Sequence, residues 1–489
     1  MPWPAFRPAA DEWRAERGRT AITMRKRTKS IILLVAVGQM LLILGLLALP
    51  TAVQAIPGRY RVWLQENYPT MGKISEEVIA QVAPVATALP AAQQAPETQI
   101  DISSLIAEQP VSTLAVDAAD AVELPQVAAP TTAAAEATAE GTEAVASPTP
   151  APTNTPAPTL TPMPLPGRVV LEDMGVVKQS FNNCGPANLT QVLNWYGSDI
   201  TQEDVASYLK PNPEDRNVSP WQISDYVNER MPGFKAITRS GGDLEMIKRF
   251  VAAGFPVVIE KGYELPESGW WGHYLTIYGY DDELQELYSQ DTYLGPFDGS
   301  GRIDSYRDFL PFWQQFNNTF YVVYRPEQEE TVKSLMGEEM FDDIKMWQKV
   351  AAMAEQETTE RPDDVFSWFN LGTALTRIGG LTGEAKYYQG GTQAFDRARE
   401  IGLPPRMLWY QFEPYLAYLR TDRFQDIIDL ADATLATQGG RNVEETFWYK
   451  GHALAYLGDV SAAITAYRTA LSVNENFYPA QISLDSLGG

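Results

Sequence analysis

The chain has 489 residues, which is room for about three domains of ordinary size. Lys and Arg number 38 against 62 Asp and Glu, and the net charge of −24 argues against a protein that binds the phosphate backbone of nucleic acids. A single Cys excludes an internal disulfide framework and a Cys-rich zinc site, and two His argue against a histidine metal cluster, so we expect no metal or organic cofactor.

The first part of the chain has the pattern of a membrane anchor. Residues 1–30 form a basic N-terminus, and four Lys and Arg at positions 25–29 directly precede an apolar stretch. We predict a transmembrane helix over residues 31–53, and the positive-inside rule places the N-terminus in the cytoplasm and the rest of the chain outside it. In an alternative interpretation, a signal peptidase cleaves near Ala55 and the protein is secreted.

The next segment, residues 56–166, joins the predicted anchor to the folded part of the chain. From Ala128 to Pro166 it is rich in Ala, Pro and Thr and contains no aromatic residue. Such a composition buries too little apolar surface to offset the entropy lost on folding, so we predict a disordered linker. The closely spaced prolines after Ser147 favour an extended, semi-rigid spacer that holds the following domain away from the membrane.

The composition changes abruptly after the linker. Residues 167–325 are rich in aromatic residues and show both strand and helix patterns, which predicts a first folded domain. Residues 326–489 are almost wholly helical in pattern, with Ala, Leu, Tyr and Trp at spacings of three and four. We therefore predict a second, all-α domain.

The only Cys of the chain, Cys184, lies at the predicted start of a helix. Apolar residues follow it at helical spacing as far as Tyr196, and Gly197 ends the helix. Pro186 suits the first turn, where the unpaired amides and the helix dipole favour a thiolate over a thiol. This location suits a nucleophile, and the alternative is a small buried hydrophobic residue.

The only His of the first domain, His273, lies on a predicted hairpin. Residues 272–280 are typical of a strand and residues 284–290 of a return strand that leads to Asp291. If the turn is centred on Asp282, positions 273 and 291 lie directly opposite, with Cβ atoms ~5 Å apart. We therefore predict that Asp291 contacts His273 and orients its imidazole, the alternative being a structural pair at a strand end.

A possible second donor for an oxyanion site precedes the Cys. Gln179 lies five residues before Cys184, where its side-chain amide can be placed beside the Cys184 backbone N–H. Two donors at such a position can stabilise an oxyanion. The alternative is an ordinary surface Gln before a helix.

These residues, in this order, resemble the papain-like cysteine peptidases of the bacteriocin-processing group, peptidase family C39, over roughly residues 169–325. The segments that carry the resemblance are Gln179, Asn183-Cys184-Gly185-Pro186-Ala187, Gly272-His273-Tyr274 and Asp291. The resemblance implies an α+β papain-like fold with Cys184 as the nucleophile and His273 as the general base and acid. It also implies that Asp291 orients His273 and that Gln179 belongs to the oxyanion hole.

Aromatic residues are frequent near the candidate site. Tyr263, Trp270 and Trp271 either form the wall of a cleft or simply pack in the fold. A second group is predicted to lie in the core, with residues 320–324 as the last strand. Its members are Phe309, Phe312, Trp313, Phe316, Phe320 and Tyr321.

The C-terminal region contains a weak internal repeat. Residues 443–480 have nearly the helix–turn–helix spacing of tetratricopeptide (TPR) repeats, and residues 368–398 and 404–437 resemble less regular copies. The resemblance implies a superhelix that binds a peptide or protein partner, and the alternative is a stabilising helical cap without a ligand. His452 lies in the last repeat and is expected to be a structural or surface residue.

Together these patterns predict a single-pass membrane protein that displays a cysteine peptidase-like hydrolase outside the cytoplasm. A peptide or protein substrate would react through a thioester, and the TPR-like repeats would bind a protein partner. Two alternatives stay open. One is a catalytically inactive papain-like binding or scaffold protein, and the other is an amidase that acts on cell-wall peptides with the same residues.

Overall fold

The computed structural model describes residues 33–35, 37–45, 60, 68, 70–71, 88–92, 100–107, 165–265, 269–437 and 439–489. The chain divides into two compact units, Met1–Val85 and Ala86–Gly489. Of the predicted membrane span, residues 33–35 and 37–45 are helical and exposed, and the others lie outside the described residues, as do the basic N-terminus and most of the predicted linker. Among the residues that the structure describes, no helix is long and apolar enough to cross a bilayer.

The second unit is built around a seven-stranded sheet. Its strands are β1 Arg168–Val170, β2 Lys235–Arg239, β3 Val257–Leu265, β4 Gly269–Asp281, β5 Glu286–Gln290, β6 Arg302–Ser305 and β7 Phe320–Tyr324. The order is β2-β7-β3-β4-β5-β6, β1 pairs with β4, and the pairings are antiparallel. Strand β4, which carries His273, therefore has hydrogen-bonded neighbours along both edges.

The helices connect and cover these strands. In chain order they are α1 Ile102–Ala107, α2 Cys184–Trp195, α3 Gln202–Leu209, α4 Pro220–Arg230, α5 Leu244–Ala252, α6 Tyr306–Gln314, α7 Glu329–Met336, α8 Glu338–Phe341, α9 Asp343–Glu360, α10 Val365–Thr382, α11 Ala385–Ile401, α12 Glu413–Arg420, α13 Phe424–Ala436, α14 Glu444–Tyr456, α15 Val460–Val473 and α16 Tyr478–Ser486. Short 3₁₀ helices lie at Pro326–Gln328, Pro405–Trp409 and Gly440–Asn442. The antiparallel sheet with its helices is an α+β domain, as the resemblance implied.

Local sequence signals account for the helix starts around the site. Thr201 caps α3 and forms a reciprocal capping box with Asp204. Ser219 caps α4 with Gln222, and Pro220 occupies the first helical position, where its missing N–H costs nothing. The caps fix where α3 and α4 begin, and Gln202 at the start of α3 accepts from the Ser180 N–H at 2.8 Å, four residues before Cys184.

One face of the sheet packs against α2. Leu189 and Val192 of α2 share a buried cluster with Val258, Tyr274 and Tyr321 from three neighbouring strands. This apolar contact fixes the helix across the strand that bears His273, because burial of such side chains contributes roughly 1.5 to 3 kcal/mol each.

The other face of the sheet shares its core with the C-terminal helices. Leu275 of β4 and Trp313 of α6 belong to the same buried cluster as Trp347 of α9 and Leu375 of α10. The predicted helical C-terminal region is present, and it packs directly on the α+β domain. In sequence order α10–α11, α12–α13 and α14–α15 form helix pairs with short connections at the stretches that resemble repeats.

Two stretches before the linker also belong to this unit. The Leu89 N–H donates to the Leu403 carbonyl at 2.9 Å, and Arg399 Nε donates to the Pro90 carbonyl at 2.8 Å. Leu105 of α1 is buried in the cluster shared by α9 and α10. Leu89, Pro90 and Leu105 therefore belong to the same compact unit as the sheet and the C-terminal helices.

Candidate active site

The position of Cys184 follows from a tight turn before α2. Asn182 has a φ of 57°, in the left-handed region that Asn tolerates better than most residues. The Ala187 N–H then donates to the Asn183 carbonyl at 2.8 Å, so the helix begins at Cys184 as predicted. The first amides of a helix lack intrahelical partners, and together with the helix dipole they stabilise negative charge on the Cys184 sulfur.

His273 and Asp291 are brought into contact. The His273 Nε2 atom lies 3.0 Å from Asp291 Oδ1, and the two side chains are 8% and 0% exposed. Water is therefore nearly excluded from the pair, so the carboxylate acts on the imidazole at close range.

The register that was expected to produce this contact is wrong. Asp281 pairs with Glu286, so the turn is centred between Glu283 and Leu284 instead of on Asp282. Thr276 pairs with Gln290, and continuing that register would place His273 opposite Tyr293. Because β5 ends at Gln290, Asp291 lies beyond the strand and reaches His273 diagonally.

Asp291 is held by several donors besides His273. The Tyr263 hydroxyl donates to Oδ2 at 2.6 Å, and the backbone N–H groups of Tyr293 and Leu294 donate to Oδ1 at 2.9 Å each. Burial alone would raise the pKa of Asp291, but the charge of His273 and these hydrogen bonds outweigh it and lower that pKa. Asp291 is consequently a fixed anion.

The Cys184 thiol is the second partner of the imidazole. Since Nε2 is taken by Asp291, Nδ1 is the ring nitrogen left for a hydrogen bond with Cys184. Burial would lower the pKa of His273, but the Asp291 charge and hydrogen bonds to Asp291 and Cys184 raise it to about 9. Burial would raise the pKa of Cys184, but His273, the Tyr274 N–H and the Lys210 charge together lower it. Both shifts favour a thiolate–imidazolium pair, the reactive form of a cysteine nucleophile.

Gln179 is attached to the residue that follows Asp291. Its backbone N–H donates to the Thr292 carbonyl at 2.8 Å, and its Oε1 accepts from the Thr292 hydroxyl at 2.8 Å. The amide oxygen is thereby directed to Thr292, so the –NH₂ group, which is the donor that an oxyanion site requires, points the other way.

A buried amide that the sequence argument missed joins the parts of the site. Asn188 Nδ2 donates to the Cys184 carbonyl at 2.9 Å, to the Tyr274 carbonyl at 3.1 Å and to Thr292 Oγ1 at 3.3 Å. Its Oδ1 accepts from Thr276 Oγ1 at 2.7 Å. Asn188 thus links α2 to the strand of His273 and to the segment of Asp291. Its position one turn after Cys184, on a helix with an apolar buried face, was the signal available in the sequence.

The three aromatic residues near His273 divide between the two predicted roles. The Tyr263 ring lies 5.3 Å from the His273 ring, between centroids, and belongs to the site. Trp270 is buried and stacks on Phe316 at 5.7 Å, so it packs in the fold. Trp271 contacts Trp409 of the helical region at 5.8 Å. The residues predicted to form the core are buried, except that Phe312 is half-buried.

The second histidine lies in the helical region. His452 is completely buried, and its Nδ1 lies 3.2 Å from the Tyr467 hydroxyl. Within the part of the chain that the structure describes, no group of three or more His, Cys, Asp or Glu side chains is placed to hold a metal ion.

Comparison with known proteins agrees with the geometry at the level of the domain. Residues 171–321 match the model of the Peptidase C39 like family, so the chain carries a peptidase C39-like domain. A crystal structure described as a candidate C39-like peptidase from Bacillus anthracis is 16% identical, with a TM-score of 0.27, over 32% of this chain and 98% of that chain. No match was found among curated proteins.

Proposed function

We propose that this protein is a papain-like thiol hydrolase that cleaves an amide bond of a peptide or protein through a thioester. The observation that carries the proposal is the buried His273–Asp291 pair, with Nε2 3.0 Å from Oδ1, beside a Cys184 thiol whose pKa His273 helps to lower. The peptidase C39-like domain match supports it. In this proposal Cys184 is the nucleophile, His273 the general acid and base, and Asp291 the residue that orients His273.

The reaction proceeds in two halves. The Cys184 thiolate attacks the carbonyl carbon, and the oxyanion of the tetrahedral intermediate accepts hydrogen bonds from the Cys184 backbone N–H and the Gln179 –NH₂ group. The His273 imidazolium gives its proton to the leaving amine as the C–N bond breaks, which leaves a thioester. Neutral His273 then takes a proton from water, the hydroxide attacks the thioester, and the thiolate leaves as the carboxylic acid product forms.

The state of the Cys–His pair favours this proposal over an inactive scaffold. A scaffold has no need for a histidine with a raised pKa beside a thiol with a lowered one, and perturbed pairs of this kind are typical of functional sites. An amidase of cell-wall peptides would use the same residues, so substrate profiling distinguishes it. We also propose that residues 31–53 anchor the chain with the N-terminus inside, and that the TPR-like helix pairs bind a protein partner.

Alkylation by iodoacetamide across pH tests the proposal on the full chain. Cys184 is the only Cys, so the labelling rate reports one thiol. We expect rapid labelling at pH 6, and a loss of at least about tenfold in His273→Ala because a free thiol has a pKa of ~8.5. His452→Ala is the matched control and should label like the wild type. Slow labelling of the wild type, or a rate indifferent to His273, contradicts the proposal.

A further inference from the structure

An aromatic residue of the helical region reaches the strand of His273. Trp409 ends the 3₁₀ helix Pro405–Trp409 and is 4% exposed. Its ring lies edge-on to Trp271, with centroids 5.8 Å apart, and Trp271 precedes His273 by two residues. Arg406 strengthens this contact, since its guanidinium lies 4.0 Å from the Trp271 ring centroid and its Nη1 donates to the Trp270 carbonyl at 3.0 Å.

The same tryptophan also reaches the segment that precedes Cys184. The Arg216 guanidinium lies 5.4 Å from the Trp409 ring centroid and 5.4 Å from the Phe181 ring centroid. Arg216 Nη1 also lies 3.5 Å from Asn182 Oδ1. Phe181 and Asn182 form the turn that starts α2, so this chain of contacts ends within three residues of Cys184.

We call this set the Trp409 cluster, and it consists of Phe181, Arg216, Trp271, Arg406 and Trp409. The Trp409 cluster is tightly packed. A Cβ atom at Gly439 would lie 2.3 Å from Trp409 and 2.8 Å from Arg216 Nε. Aromatic pairs and guanidinium–ring contacts stabilise a cluster beyond the apolar area that they bury, so the Trp409 cluster resists separation of its two ends.

Tyr410, the residue after Trp409, packs against the same strand, β4. A Cβ atom at Gly272 would lie 3.0 Å from Tyr410 Cδ1, so Tyr410 packs directly on the backbone next to His273. Any side chain at position 272 would push Tyr410 or the strand away. The helical region therefore touches β4 immediately before His273 at two successive residues.

We infer that Trp409 is a positioning residue of the thiol site, which holds the turn before Cys184 and the strand before His273 at the separation the Cys–His hydrogen bond needs. This inference rests on the proposed function, because it concerns the reactivity of the same pair. It assigns the helical region a part in the active site in addition to any partner it binds. A hydrogen bond weakens steeply with distance and angle, so a small shift of either segment converts the thiolate into an ordinary thiol.

Trp409→Leu, which keeps a large apolar side chain, tests the inference in the full chain. Trp448→Leu is the matched control, because Trp448 is also buried in the helical region but contacts Tyr449, His452 and Phe477 instead of the α+β domain. We expect both variants to lower the thermal midpoint. Only Trp409→Leu should slow iodoacetamide labelling at pH 6 by about tenfold and move the thiol pKa toward ~8.5, while Trp409→Phe stays within about threefold of wild type.

The outcomes separate this inference from the proposed function. Slow labelling of the wild type overturns the proposed function itself. Fast labelling of the wild type with an unchanged profile in Trp409→Leu overturns only the role of Trp409. Equal slowing in Trp409→Leu and Trp448→Leu also overturns it, because the effect is then general loosening. If Trp409→Leu does not fold, Arg406→Met removes the guanidinium over Trp271, and a wild-type labelling profile in that variant overturns the inference.

Discussion

The two histidines of this chain are both buried, yet their pKa values move in opposite directions. His273 is 7% exposed and has a pKa raised to about 9, whereas His452 is 0% exposed and has a pKa lowered to about 3. Burial disfavours the charged form of both, and for His452 the charge of Arg420 adds to that effect. Only His273 has an anion against its ring, Asp291. A carboxylate beside a buried histidine thus raises its pKa and allows it to carry the proton that it transfers. Burial without such a partner keeps the imidazole neutral.

The same contrast appears between the buried charges of the two regions. In the helical region Asp426 pairs with Arg399 at 2.9 Å and with Arg423 at 2.9 Å, and Arg423 pairs with Asp396 at 2.6 Å. These charges neutralise one another within the core, which is a structural arrangement. At the candidate site the partner of His273 is a thiol with a lowered pKa, and its thiolate form can form a covalent bond. The first cluster is expected to control stability and the second reactivity.

The largest effect is expected from breaking the cluster in the helical region. Asp426→Asn leaves the buried guanidinium groups of Arg399 and Arg423 short of negative charge, so the free energy of unfolding should fall by about 3 to 5 kcal/mol. Urea unfolding measures this loss. Asp432→Asn is the control, since Asp432 is exposed and its pair with Lys450 lies at the surface, where it contributes little.

If the two charge clusters are independent, Asp426→Asn should not change the reactivity of the Cys184 thiol. The fraction of Asp426→Asn that is folded should be labelled by iodoacetamide at the wild-type rate. A fall in labelling as large as that of His273→Ala would mean that the two charge clusters are coupled, and the division between a structural and a chemical cluster would be wrong.

The proposed oxyanion site, in which Gln179 is a donor to the tetrahedral intermediate, gives the next largest expected effect. Gln179→Ala removes a donor to the tetrahedral intermediate, and the loss of one such donor costs about 10² to 10³ in rate. A peptide aldehyde forms a tetrahedral adduct with the thiol, so its binding should weaken by about 10²-fold in Gln179→Ala. Iodoacetamide forms no oxyanion, and its rate should stay unchanged. Equal loss with both reagents would show that Gln179 acts only by holding Thr292 and the segment of Asp291 in place.

Local patterns in the sequence were sufficient for the elements of the site. The helix start at Cys184 depends on neighbours within one turn, and the last strand, Phe320–Tyr324, is an unbroken aromatic and β-branched run, so both were predicted correctly. The contact of His273 with Asp291 was predicted from an incorrect register. The contact occurs because β5 ends at Gln290, so Asp291 lies beyond the strand and reaches His273 diagonally.

Local sequence patterns could not predict the contacts between distant parts of the chain. The position of Asn188 on α2 shows that a polar side chain is buried, but its bonds to Tyr274 and Thr292 depend on how the helix crosses the sheet. The contact of Trp409 with Trp271 joins the helical region to β4, and no periodicity in either segment predicts it. Periodicity identifies the faces of an element, while the packing of domains decides which faces meet.

The pH dependence of stability tests whether burial lowers the pKa of His452 in the folded chain. Its pKa is about 3 in the folded chain and about 6.5 in the unfolded chain, so between these values the unfolded chain binds more protons. Stability from this residue is complete above pH 6.5 and is lost as the pH falls toward 3. Between pH 6.5 and pH 4 the wild type should lose roughly 2 to 3 kcal/mol more than His452→Gln, which does not titrate. Parallel stability curves from urea unfolding would show that His452 has the same pKa in the folded and the unfolded chain, which contradicts this prediction.

Removal of the Asp291 carboxylate beside His273 should make the two histidines alike, because neither then has a carboxylate against its ring. This change is expected to have the smallest effect in the series. In Asp291→Asn only Cys184 still offsets burial, so the pKa of His273 falls from about 9 toward its ordinary value of 6.5 and the imidazolium that stabilises a thiolate is depleted. Iodoacetamide labelling at pH 6 should slow by about tenfold and recover as the pH approaches ~8.5. Asp281→Asn is the matched control, because Asp281 is also buried but pairs with Arg168 at the other end of β4. If Asp291→Asn labels like the wild type, the thiol is activated by the helix terminus alone, and the difference between the two histidines has no part in its reactivity.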